Sequence, residues 1–154
     1  VDKAIEMWQG PKGAKQDFIL PESWIEVKST NLGKREIHIS SLEQLDSPIS
    51  DGVLSVVTLQ ESNAYDANAI CLSTFIDEIE SEINDDLIAI DFKEKLLLVG
   101  YGQNKENELY FRVCGIENYR VNEEFPKIKR NDIPTAITKV SYTLNLEAIS
   151  NFKI

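Results

Sequence analysis

The stretch Asp17-Phe-Ile-Leu-Pro-Glu-Ser-Trp-Ile-Glu26-Val27-Lys28-Ser29-Thr30 divides at Pro21 into two short segments. Asp17–Leu20 is apolar after its first residue and reads as a strand closed by the proline. In Ser23–Thr30, Trp24, Glu26 and Lys28 alternate with Ile25 and Val27, a period of two that predicts a second strand. Alternation sets Glu26 and Lys28 on one face, roughly 6.5–7 Å apart along the chain. An adjacent strand beginning at Asp17 then brings a second carboxylate beside Glu26.

Two carboxylates held together repel, and burying them without a partner is costly. A divalent cation relieves both costs, and a few hard oxygen ligands with waters retained are what Mg²⁺ prefers. The carbonyl of Val27, pointing away from its own side chain, offers a third oxygen. Phosphodiester hydrolysis needs an activated water, a Lewis acid and stabilisation of developing negative charge. A metal supplies the first two. Lys28, a compact point charge two residues from Glu26, suits the third, or the orientation of the attacking water. Against this stands a solvated Glu26–Lys28 pair on an outer sheet face, worth well under about 1 kcal/mol.

Working outward, Ala4–Trp8 reads as a short strand stopped by Gly10-Pro11. The turn at Asn31–Lys34 leads into an alternating strand over Arg35–Ile39, so that Asp17–Ile39 predicts a three-stranded antiparallel meander. Ser40-Ser41-Leu42-Glu43 resembles a serine-capped helix start running through Gln44 and Leu45. Val53–Leu59 is rich in β-branched residues and predicts a strand. Leu72, Phe75, Ile76, Ile79 and Ile83 then recur with helical spacing, with Asp77, Glu78, Glu80 and Glu82 off the stripe. Asn84-Asp85-Asp86 predicts the cap of a second helix reaching about Val99 and ended by Gly100 and Gly102. Leu109–Gly115, Tyr119–Val121 and Lys139–Leu146 read as further strands, with loops at Pro126 and Pro134. One mixed α/β domain over residues 1–154 is the expectation.

The chain has 154 residues, 42% hydrophobic and 27% charged, as in globular proteins. No run approaches the roughly 18 apolar residues of a membrane helix, and no secretory signal is visible. Cys71 and Cys114 are too few and too far apart for a disulfide framework or a zinc site. They read as buried, reduced thiols, which points to the cytoplasm. The net charge of −10 argues against bulk electrostatic binding of nucleic acid. That charge is uneven. Residues 1–40 hold six Lys/Arg against six Asp/Glu, residues 41–108 three against fifteen, and residues 109–154 seven against five. The proposed site segment is therefore neutral. His38 lacks a nucleophile and an orienting acid for a triad. Trp8 and Trp24 suit packing more than base stacking, and Lys127, Lys129 and Arg130 form the only basic cluster.

In order along the chain stand Trp8-Gln-Gly-Pro, Asp17-Phe18, Glu26-Val27-Lys28-Ser29-Thr30 and Ile37-His38-Ile39-Ser40-Ser41-Leu42-Glu43-Gln44-Leu45, with Val140-Ser-Tyr142 later. This succession resembles a family of bacterial restriction-endonuclease-like PD-(D/E)xK proteins, from about Ala4 onward. The resemblance implies a mixed central sheet flanked by helices, with Asp17 and Glu26 as metal ligands and Lys28 as the catalytic lysine. Gln44 would assist the site. It further implies Mg²⁺ or Mn²⁺ as cofactor, DNA as substrate, and a role in bacterial restriction or phage defence. Defence-system proteins or a second copy of the chain would be its partners. The alternative is a nuclease-fold module without cleavage activity, serving as a nucleic-acid-binding or assembly subunit. Two departures stand out. Gln16 replaces the proline before Asp17, and an N-terminal helix with a Gly-Glu-Leu motif is missing, as in the C-terminal portion of a longer protein.

Overall fold

The computed structural model describes residues 1–49, 51–102 and 109–154. Its centre is a mixed five-stranded sheet in the order β1-β2-β4-β6-β5. The strands are β1 (Phe18–Ile19), β2 (Trp24–Asn31), β4 (Gly52–Ser62), β5 (Ile70–Cys71) and β6 (Tyr110–Val121). β2 and β4 run parallel, and every other pair is antiparallel. A parallel pair needs a crossover. Here the crossover holds β3 (Glu36–Ile39) and a 3-10 turn, Leu42–Gln44, which lie over one face of the sheet. The chain is thus an α/β fold with a mixed central sheet flanked by helices, the architecture that the resemblance to restriction-endonuclease-like proteins implies.

The predicted meander breaks at its third strand. β3 does not extend the sheet beside β2. It pairs antiparallel with β7 (Tyr142–Asn145), more than a hundred residues away in sequence, as a separate two-stranded sheet. β3 and β7 pack Ile37, Ile39 and Leu144 against Trp24, Leu54, Val56, Tyr119 and Val121 of the central sheet, which forms the main core. Burial of that apolar surface outweighs continuation of the hairpin.

Ala4–Trp8 is likewise not a strand. It lies mainly in helix α1, Asp2–Met7, where Ile5 is buried against Phe92 and Leu96. α2 (Leu72–Ser81) and α3 (Asp86–Leu98) complete this second cluster with Ile76. The helices otherwise follow their sequence signals. Asp85 caps α3 by accepting from the N–H groups of Leu87 (2.8 Å) and Ile88 (3.4 Å). Gly100, at φ 85°, ends it in the left-handed region that glycine tolerates. Lys95 of α3 is 0% exposed; its Nζ donates to the Ile5 carbonyl at 2.5 Å and pairs with Asp91 at 2.7 Å. Lys12 also pairs with Asp91, so α1 and the 3-10 turn Gly10–Lys12 are fastened to α3.

The two strands expected over Leu109–Gly115 and Tyr119–Val121 form one strand, β6. It carries a bulge: Thr58 faces Gly115 and Leu59 faces Val113, which leaves Cys114 as an extra residue. Cys114 is exposed and Cys71 half-buried, so the expected burial of these thiols does not hold. Among the described residues, no helix is long and apolar enough to cross a membrane.

Gly52 faces Trp24 across the parallel pair, and a Cβ there would fall 2.1 Å from the indole ring. Trp24 is fully buried and donates its indole N–H to the Ile49 carbonyl at 3.1 Å, so it cannot yield. Gly52→Ala is expected to destabilise the protein by about 2 kcal/mol, read as a lower urea midpoint.

Candidate active site

β1 and β2 pair Phe18 with Ile25 and Ile19 with Trp24. Continuing that register by one residue sets Asp17 across from Glu26, with both side chains on one face. Main-chain contacts hold Asp17 at this position. The N–H groups of Gln9 and Gly10 donate to its carbonyl at 2.8 and 3.0 Å. Its carboxylate Oδ2 accepts the Val27 N–H at 2.8 Å. Gly10 leaves room for this arrangement, since a Cβ there would stand 2.8 Å from Asp17 Oδ1.

Glu26 is 1% exposed, inside the sheet and flanked on β4 by Leu54. Lys28 lies two residues on, with Nζ 2.8 Å from Glu26 Oε1. Nζ also donates to Gln44 Oε1 at 3.1 Å. Gln44 reaches the site from the 3-10 turn in the crossover, and the same Oε1 accepts from Ser40 N (2.9 Å) and Ser40 Oγ (3.0 Å). The expected serine cap is therefore inverted: Ser40 donates to Gln44, and the turn, capped by Ser41, shows no side-chain cap.

The Glu26 carboxyl is pushed up from 4.5 to about 7. Burial is the main cause. The ammonium of Lys28 opposes it, the charge of Asp17 adds to the rise, and the Asp17 backbone amide offsets a little. Above that pH, two carboxylates face one ammonium in a water-poor setting.

The residues present suit a divalent cation on this ground. A buried carboxyl that resists ionisation, with a second carboxylate across from it, carries negative charge that a cation would balance. The side-chain donors such a cation would meet are Asp17 and Glu26. Residues in extended strands direct N–H and C=O toward the same edge, so the Val27 carbonyl shares the edge facing Asp17. No group of three or more His, Cys, Asp or Glu side chains gathers anywhere among the described residues. The set is thus a sparse one, of the kind that leaves most of a Mg²⁺ shell to water and substrate.

Asp17, Glu26, Val27, Lys28 and Gln44 come together as the sequence suggests. His38 does not join them in any contact; it is exposed on β3 opposite Thr143. Trp24 is core, and Trp8 packs against Phe92 in a tilted ring contact with centroids 6.1 Å apart. Lys129 pairs with Glu123 at 2.7 Å, and Arg130 donates to the Ile137 carbonyl and, through its backbone N–H, to Asp46. The Lys129 and Arg130 side chains are therefore engaged by neighbours in their own loop. Sequence reading missed two contributors, Gly10 and the buried Gln16. Gly10 had a turn signal in Gly10-Pro11; nothing in the sequence marks the partners of Gln16.

The model of the family described as "Putative PD-(D/E)XK family member (DUF4420)" matches residues 1–147. Neither a curated protein nor a solved structure matches the chain.

Proposed function

The chain belongs to this PD-(D/E)XK family, and from that premise we propose that it hydrolyses DNA phosphodiester bonds, using Mg²⁺ or Mn²⁺ held by Asp17 and Glu26. The observation that carries the reading is the buried Glu26 carboxyl, opposite Asp17 in register and 2.8 Å from Lys28. A cation bound there would supply a Lewis acid for a phosphoryl oxygen and a readily deprotonated water. The remaining roles fall to the chain itself. Asp17 and Glu26 hold negative charge toward the cation, and the Val27 carbonyl adds an oxygen on the same edge. Lys28 has three N–H donors; with two directed at Glu26 and Gln44, the third is available to a phosphate oxygen or to the attacking water. Gln44 keeps that ammonium aimed. The neutral balance of residues 1–40 lets a phosphate backbone approach despite the −10 overall. A cytoplasmic bacterial restriction or phage-defence setting, with defence-system proteins or a second copy as partners, belongs to the same proposal.

Two observations favour a second reading. With only two carboxylates gathered at the site among the described residues and an acidic chain, the same fold serves as a nucleic-acid-binding or assembly subunit without cleavage. Supercoiled plasmid with Mg²⁺ or Mn²⁺, together with Mg²⁺ calorimetry, separates the two. The first reading expects nicked or linear product, and heat of binding that Asp17→Asn removes. Absence of cutting with binding indifferent to Asp17→Asn establishes the second.

A further inference from the structure

Gln16 stands where the family pattern has proline, and it is only 6% exposed. Burying an amide is costly unless its hydrogen bonds are made. Its Nε2 donates to the carbonyl of Glu43 at 2.5 Å, with the Gln44 carbonyl at 3.5 Å. Glu43 and Gln44 close the 3-10 turn Leu42–Gln44, where main-chain carbonyls run out of helical donors. A proline at this position has no side-chain N–H to offer them.

Resting on the reading above, we propose that Gln16 is a positioning residue: its amide fastens the turn bearing Gln44 to the segment bearing Asp17, and so fixes where the Lys28 ammonium sits. The contacts close a ring. Asp17 reaches Val27 through its carboxylate. Lys28 reaches Gln44 Oε1, which also gathers Ser40 N and Oγ. Gln16 then returns from the main chain of that turn to the neighbour of Asp17. Its amide makes a direct hydrogen bond between the turn and the Asp17 segment, which are otherwise linked through Lys28, whose Nζ bonds Gln44 Oε1.

Two backbone amides report on this ring. Ser40 N–H is bonded to Gln44 Oε1 and Val27 N–H to Asp17 Oδ2. In the full chain, without metal or DNA, Gln16→Met is expected to accelerate hydrogen exchange at both by about tenfold, while amides of Leu54 and Val56 keep their protection. Gln16→Glu, which keeps the shape and lacks the donor, is expected to do the same. In a Gln44→Ala background, Gln16→Met is expected to add nothing at Ser40. Unchanged exchange at Ser40 and Val27 in both Gln16 variants, or an equal rise at the core amides, overturns the role. Because the measurement involves neither cation nor cleavage, it can fail while the hydrolytic reading stands, and it can succeed if plasmid remains uncut.

Discussion

Lys28→Ala is expected to slow plasmid cleavage by about 10²–10³-fold, the loss typical when one group stabilising transition-state charge is removed. Its effect on cation binding should differ from its effect on chemistry. The Lys28 ammonium opposes the burial that raises Glu26, so its loss moves that carboxyl higher still. Cation affinity should then weaken near pH 7 and rise toward pH 9 as Glu26 gives up its proton. Cleavage should not recover with it, because the missing charge acted on phosphate. Calorimetry and initial rates at the two pH values make the comparison. Cutting that continues at the wild-type rate in Lys28→Ala removes this site from the mechanism.

Glu26→Gln is expected to stabilise the cation-free protein at pH 8 by up to about 3 kcal/mol, a figure that already contains the ion pair with Lys28. The carboxyl sits at about 7 in the folded chain against 4.5 in the reference state. The folded state therefore binds that proton more tightly than the unfolded state. Its contribution is complete below pH about 4.5 and is lost as the pH rises through about 7. Urea unfolding of the wild type should show stability falling across this window, and the glutamine variant should flatten the curve. Mg²⁺ at pH 8 should restore the wild type by mass action and leave the variant unmoved. A wild-type curve that is level from pH 5 to 8 would contradict the burial argument.

The site was legible because its key spacing is local. Glu26 and Lys28 share a face by strand period alone, and Pro21 forces the reversal that returns Asp17 to Glu26. The cluster of α1 was not legible. Ala4–Trp8 is too short for period to separate helix from strand, and the surface that selects the helix, Phe92 and Leu96, lies more than eighty residues on. β3 failed for a similar reason. Gly33 makes the turn after Asn31 look like a hairpin, yet β2 and β3 do not pair: Thr30 Oγ1 donates to the Glu36 carbonyl and β7 takes the pairing. The cysteines misled because Val113-Cys114 sits in an apolar-looking run whose outer face is open, with Val113 42% and Ile116 60% exposed. Lys95 is the reverse case, a charge on a helix whose burial follows from the Ile5 carbonyl and Asp91.

The bulge at Cys114 also shapes the open side of β6. β5 covers β6 only at Tyr110 and Phe111, and the C-terminal segment meets it only near Asn118 and Tyr119, so among the described residues the stretch between has a free outer side. A straight strand there, with two exposed apolar side chains, would be a template for fibril-like stacking. The extra residue bends it out of register with any flat neighbour. Deleting Cys114 would mend the ladder to β4 and, by the same stroke, make the protein prone to self-assembly through that side.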